Sequence, residues 1–411
     1  MDMGLASLDR TSTVQKAPAA EAAWIRPGVV VHQSAETVDR LLEAFAFKLR
    51  QRGFNVAGYV QRSNSGCTGK GLGCAPNIEY LDLSTNQTVS VERAAATAYL
   101  RRAMRDNADL LVISRFAGSI ASAAWARPGG NNSAQGLPLL TSIAGQCIHK
   151  WFDYARQDGA MISPDLKSLW AWWGAERLYR DLALGVAEHE VCRIACGTRW
   201  IMVEGPFGAG LAYLPRSPRE LLPQLPHYAG LSLRELAALS QSWDPLKMAL
   251  GIAAINAHYN RYDLDAASGN GVRTFRGAAG RVVVIGAFPG IDGILPHCAV
   301  IEADPRPGEY PAAAMDTLLP VCGGAIVNAS ALINRSLPRI LRLASNRPVA
   351  LIGPATPMTP RLHDYGLSLL GGFIVRDANG LAAAIRAGVL PKDFGRFGRY
   401  VHLSCGEPAA S

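Results

Sequence analysis

The sequence predicts a three-part α/β protein, and three observations predict it. The chain has 411 residues, too many for one ordinary core and enough for two or three domains. Apolar runs of strand length alternate with helical periodicity over residues 28–165 and again over 279–403, the pattern of a mainly parallel sheet covered by helices. Between them, over 176–278, strands come first and helices later, which is an α+β order. Residues 1–27 read as a disordered lead-in ending at Pro27-Gly28.

In the first part, Gly28–His32 is a short β-rich run. Val38, Leu41, Leu42, Phe45 and Leu49 then recur at helical spacing over Glu36–Arg52, and Gly53 stops that helix. Phe54–Gln61, Asp109–Ser114 and Leu137–Ile143 are further strands, with a helix over Val91–Asn107. A Gly/Cys-rich loop spans Ser63–Ala75. The aromatic linker Trp151–Gly174 carries Trp170, Trp172 and Trp173, which are expected to pack the first domain onto the second, since no basic groove surrounds them to make a stacking platform for bases.

In the second part, Arg193–Val203 and Gly208–Leu214 read as two strands joined by a Gly/Pro turn. Helices follow at Leu233–Gln241 and Leu246–Asn256. The third part opens on the strand Arg281–Phe288 and continues with Cys298–Glu302, Ala325–Asn328, Val349–Ile352 and Gly372–Val375. Helices Ser336–Ala344 and Asn379–Ala387 lie between them, giving a small Rossmann-like sheet.

Composition bounds the function. With 49% hydrophobic and 18% charged residues, the chain has the make-up of a soluble globular protein. Its longest apolar runs have the length of buried strands, not of a membrane helix. The first 27 residues hold no apolar h-region, so no secretory signal is expected and the predicted address is the cytoplasm. Net charge is +8, but the arginines are scattered without a basic stripe. That argues against nucleic acid and for a solvated surface with some preference for anionic small molecules. Eight cysteines without a Cys-x-x-Cys do not make a disulfide framework. Cys147, Cys298 and Cys322 have apolar neighbours, where a thiol acts as a small hydrophobe. Cys192 and Cys196, with His189 nearby, are expected on one strand face in the core, too far apart to share an ion.

Three stretches, in order, resemble the heavy-metal-chelation family. They are Trp243-Asp244-Pro245 with Gly251-Ile252-Ala253-Ala254-Ile255-Asn256-Ala257, then Ile285-Gly286-Ala287-Phe288-Pro289, then Gly353-Pro354-Ala355-Thr356-Pro357 followed by Gly366 and Gly371-Gly372. Asn334-Arg335-Ser336 is similar to that family's Asn-Gly-Thr corner. The resemblance implies an enolase-amino-terminal-like domain over 176–278, a Rossmann-like domain over 279–403, and a ligand site in the cleft between them. Arg335 stands where the corner usually has Gly, and Ala355 where the loop usually has Ser. Residues 28–165, through Val56–Gln61 and Asp109–Ile113 with Phe116, resemble a family related to nucleoside-triphosphatases that occurs near molybdate-transport and nitrogen-fixation functions.

The candidate chemistry is weighed residue by residue. Gln33-Ser34-Ala35-Glu36-Thr37 stands where a P-loop would, with neither Gly nor Lys, so the first domain is a P-loop-like fold without its P-loop and Asp109 is a strand-end residue. Cys67 and Cys74 in the Gly-rich loop are two soft ligands, an incomplete transition-metal site that needs His32 or another chain; the alternative is a surface loop with incidental thiols. Gly286-Ala287-Phe288-Pro289-Gly290 lacks the dinucleotide glycine spacing, and Glu302 sits where a ribose-binding acid would. The expected cleft residues are Asn256, Asn260, Gly286, Phe288, Pro289, Glu302, Asn334, Ser336, Gly353, Pro354 and Thr356. Asn334 and Ser336 can equally cap the helix that follows. The function implied is a metal-handling accessory protein that binds a metal or a metal–ligand complex in that cleft. The alternatives are an enzyme on a small polar or anionic metabolite there, or a scaffold whose amino-terminal domain recruits a protein partner, with homo-oligomerisation open.

Overall fold

The computed structural model describes residues 26–62, 79–89, 108–115, 137–155 and 159–406. The expected helix Val91–Asn107, Phe116, and the loop with Cys67 and Cys74 lie outside the described residues. The first sheet contains β1 (Gly28–His32), β2 (Val56–Arg62), β3 (Glu79–Asp82), β4 (Gln87–Val89), β5 (Leu110–Ile113), β6 (Leu139–Ala144) and β7 (Ala160–Ile162), in the order β4-β3-β2-β5-β6-β1-β7. From β2 to β7 the neighbours are parallel, while β3 and β4 add an antiparallel edge. The helix Ala35–Gln51 covers the sheet with Val38, Leu42, Phe45, Ala46 and Leu49, one buried stripe at helical spacing.

The supposed linker after Trp151 belongs to this architecture: β7 adds to the sheet edge, and the helix Leu166–Trp173 buries Trp170 and Trp173. Trp173 meets Phe54 edge-on at 5.3 Å. Trp170 lies edge-on between Phe45 at 5.4 Å and Tyr365 at 5.3 Å. These tryptophans do pack domains together, but Trp170 reaches the third domain rather than only the second.

The second domain is an antiparallel meander of β8 (Arg193–Cys196), β9 (Trp200–Glu204) and β10 (Ala209–Tyr213). The expected single strand over Arg193–Val203 is two strands, because the chain turns at Gly197, where a Cβ would stand 2.0 Å from the Ile385 carbonyl oxygen. The thiols follow this break: Cys192 is exposed and Cys196 half-buried, so the core position expected for the pair is corrected. Cys322 is buried as expected, whereas Cys147 and Cys298 are only half-buried. Helix Leu233–Ala238 starts on a capping box of Ser232 and Glu235. Helix Pro245–Tyr259 starts at Asp244, which accepts from the Leu246 and Lys247 amides. Its residues from Met248 to Ala257 are all buried, since it lies on the meander with one side and on the third domain with the other.

The third sheet has β11 (Ala267–Ser268), β12 (Val282–Ile285), β13 (Ala299–Glu302), β14 (Tyr310–Pro311), β15 (Gly324–Asn328), β16 (Val349–Ile352), β17 (Leu369–Val375) and β18 (Gly398–Ser404). Their order is β11-β18-β17-β16-β15-β12-β13-β14, parallel from β14 to β17 and closed by antiparallel β18 and β11. The strand direction of the connections reverses between β12 and β15. In an open parallel sheet that switch point is where a crevice opens beyond the carboxyl ends of the strands.

Candidate functional site at the carboxyl ends of the third sheet

Three residues meet at that crest. Gly286 ends β12 at φ 81°, and a Cβ there would lie 2.7 Å from Cβ of Asn328 at the end of β15. Gly353 follows β16 at φ 147°; a Cβ there would stand 3.2 Å from Cβ of Ala329 and 3.8 Å from Oδ1 of Asn328. Both glycines let backbone approach the same asparagine, and left-handed φ excludes most other residues. Asn328 was not among the sequence candidates. Its only signal was its place at the end of an apolar strand.

Glu302, at the end of β13, accepts the Ala287 amide N–H and so fixes the loop after β12. Phe288 packs half-buried on the small core beneath, while Pro289 is exposed. Asn334 is exposed and its Oδ1 accepts both from the Ser336 amide at 3.0 Å and from its hydroxyl at 2.7 Å. Asn334 thus forms an Asx turn ahead of the helix, while Ser336 stands at the N-cap position but its side chain makes no cap hydrogen bond.

The other candidates form a second group, and they are built in rather than lining an open cleft. Asn256 on helix Pro245–Tyr259 and Asn260 at its C-cap are fully buried. Asn256 Nδ2 donates to the carbonyls of Leu211 at 2.8 Å and Ala355 at 2.9 Å. Asn260 donates to the Thr356 carbonyl at 3.0 Å and accepts the Met358 amide at 2.9 Å. The two asparagines therefore clamp the loop after Gly353 under the second domain. Thr356 is fully buried and Pro354 half-buried. Oδ1 of Asn256 and Oγ1 of Thr356 are buried without a hydrogen-bond partner among the described residues. Ala355, where a hydroxyl was expected, is packed at 2% exposure.

Arg335 holds a φ of 58°, which explains why glycine suits that corner. Its guanidinium donates to the carbonyls of Ser240 and Ser242 and lies 4.8 Å from the Tyr179 ring centroid and 4.4 Å from that of Trp243. Burial lowers its pKa from the ordinary arginine value.

The carboxyl ends of the first sheet carry a separate polar cluster. Both ring nitrogens of buried His32 and Oδ1 of buried Asp39 have no hydrogen-bond partner among the described residues. Asp39 Oδ2 accepts from Arg115, whose amide donates to Ser142 Oγ at 2.8 Å. Burial holds His32 below and Asp39 above their ordinary pKa values. Asp109 accepts the Asn55 amide at 2.8 Å and pairs with Arg180, a structural role for the strand-end acid.

Among the described residues no group of three or more His, Cys, Asp and Glu can hold a metal ion. Nor is any described helix long and apolar enough to cross a membrane.

Two family models, each described as "Putative heavy-metal chelation", match residues 179–259 and 274–404. A third, described as a protein of unknown function, matches 28–94 and 90–172. A crystal structure of a protein with unknown function from Desulfitobacterium hafniense is 30% identical, covering 56% of this chain and 97% of that one at a TM-score of 0.49. A second, from Pyrococcus horikoshii, is 22% identical over 59% of this chain and all of that one at 0.47. Among curated proteins, the molybdenum import ATP-binding protein ModC 2 of Bradyrhizobium diazoefficiens is 24% identical over 165 residues, 36% of this chain. The match spans 18% of that relative's length. Over residues 179–259 and 274–404, together just over half its length, the chain belongs to the DUF4213 and DUF364 families, each described as "Putative heavy-metal chelation".

Proposed function

We propose that the protein is a metal-handling accessory that takes its metal as a complex, held at the crest formed by Gly286, Asn328 and Gly353 beside the second domain. The observation that carries this reading is the character of the crest: two glycine backbones at positive φ converge on one asparagine. Such a site presents close backbone and a neutral amide. It does not present the thiolate, imidazole or multiple carboxylate ligands that hold a bare transition-metal ion. Glu302 is the nearby carboxylate at the end of β13, and it already accepts the Ala287 amide. Backbone and amide groups suit the ligand shell of a metal complex or a metal oxyanion, which they meet by hydrogen bonds rather than by coordination. The family's description supports a metal cargo, and the likeness to a molybdenum import protein makes molybdenum the first cargo to load.

The test is elemental analysis of untagged full chain after incubation with molybdate or with a chelated first-row metal, followed by gel filtration. Stoichiometric metal in the wild type that disappears in Asn328→Ala and Gly286→Ala, with folding intact by circular dichroism, is the expected result. Metal retained in both variants, or no metal from either source in the wild type, overturns the reading.

A further inference from the structure

A cavity of about 470 Å³ opens where the first and third domains meet. Lys48 and Arg52, at the end of the helix Ala35–Gln51, form one wall; Arg361, His363, Asp364 and Ser404 are on the others. Three cations thus line it against the carboxylate of Asp364. Behind them buried Asp181 takes the charge of one more, pairing with Arg52 and with Arg361 at 2.6 Å. Positive charge is left over.

The donors are also left over. Arg361 spends Nη1 on Asp181 and on the Arg52 carbonyl and packs Nε against Gly185, while its Nη2 makes no protein hydrogen bond among the described residues. Lys48 reaches Asp364 Oδ1 at 2.7 Å, one contact for an ammonium with three protons. The guanidinium Nη2, with two protons, and the ammonium offer donors from two directions. That arrangement fits an anion with three terminal oxygens better than a planar carboxylate.

We propose that this junction pocket binds a small molecule through a tetrahedral oxyanion head group, the phosphate type, seated between Arg361 and Lys48. The volume exceeds what a bare oxyanion fills and falls in the range of metabolite sites, roughly 300–1,000 Å³. The organic body of a phosphorylated metabolite has Pro360, Leu403 and the Lys48 stem to lie against. Lys48 belongs to the segment matched by the model of unknown function and Arg361 to the segment matched by the metal-chelation family. The pocket therefore exists only where these two modules are joined on one chain, and an occupant ties them together. It is distinct from the crest of the third sheet.

Isothermal titration of the full chain with inorganic phosphate, and separately with AMP, tests this. The expected result is phosphate binding that weakens about tenfold in Lys48→Gln, the loss of one charge-assisted hydrogen bond, and strengthens in Asp364→Asn. Arg339→Gln, which removes a surface cation outside the pocket, should leave phosphate binding unchanged. AMP binding tighter than phosphate identifies a phosphorylated metabolite; equal affinity identifies a free oxyanion. No heat from either ligand up to about 10 mM, well beyond any affinity such a site would show, overturns the proposal. So does wild-type affinity in a folded Lys48→Gln chain, or a loss confined to Asn328→Ala, which would move the phosphate to the crest.

Discussion

The hydroxyl of Tyr365 donates to Oδ2 of Asp181 at 3.0 Å, with both side chains buried. Tyr365 belongs to the third domain and Asp181 to the second. The same carboxylate pairs with Arg52 of the first domain and with Arg361 of the third. One buried acid is thus the hub at which all three domains meet, with Arg52 also stacked 4.6 Å from the Trp170 ring centroid. Burial raises the Tyr365 pKa well above its ordinary value and the neighbouring Asp181 charge adds to it, so the phenol stays a donor.

Replacing Asp181 by Ala leaves Arg52 and Arg361 without their shared counter-charge. Removing one partner of a buried ion pair costs about 3–5 kcal/mol, so denaturant unfolding should register a loss of that size. A loss under about 1 kcal/mol would show that the hub is not buried in solution.

Asn260→Ala should also destabilise. It strips a buried amide N–H of Met358 and a buried carbonyl of Thr356 of their partners, at about 1–3 kcal/mol for each group left unpaired. Faster amide exchange at Met358 would locate the damage in the clamped loop, and unchanged exchange there would count against the clamp.

At Arg335 two effects oppose one another. Arg335→Gly relieves a left-handed backbone, worth about 1 kcal/mol, but removes hydrogen bonds to the Ser240 and Ser242 carbonyls, with about 1.5–3 kcal/mol expected for bonds from a charged donor. The stacking on Tyr179 and Trp243 adds to the loss. The variant should therefore melt below the wild type; a higher melting temperature would mean that strain dominates.

His32 and His258 are both held below the ordinary histidine pKa of 6.5, in each case first by burial. The folded state prefers them neutral, so below pH 6.5 the unfolded chain takes up protons first. Their contribution is fully present above 6.5 and declines as pH falls through the window beneath it. Asp39, raised by burial, acts in the opposite sense, losing stability as pH climbs from 3.8. Urea midpoints between about pH 5 and 7 should fall with acid in the wild type and flatten in His32→Gln/His258→Gln. Equal slopes in the two proteins would refute the assignment.

The long elements were legible because burial of one face imposes a period. Helix Ala35–Gln51 and the Val-rich strands β12 and β16 follow directly from their apolar spacing. The helix Pro245–Tyr259 and the two glycine corners were legible as motifs, which resembled a family before any geometry was known. The short strands β3, β4 and β7, of three or four residues at or next to an edge, were not, nor was β18. The break at Gly197 was hidden as well, because the carbonyl that leaves no room for a Cβ there comes from residue 385.

What the sequence by itself determined is therefore the module order and the two glycine-bearing corners of the crest, since periodicity and backbone permissiveness are local. Tertiary structure alone decided that Asn256 and Asn260 clamp the loop holding Thr356, that Asn328 completes the crest, and that Arg52, Asp181 and Arg361 share one buried hub. Those charges stand 129 and 180 residues apart in the chain. A charge pair acts through space over a few ångströms, and no local pattern records which distant partner folding will bring to it.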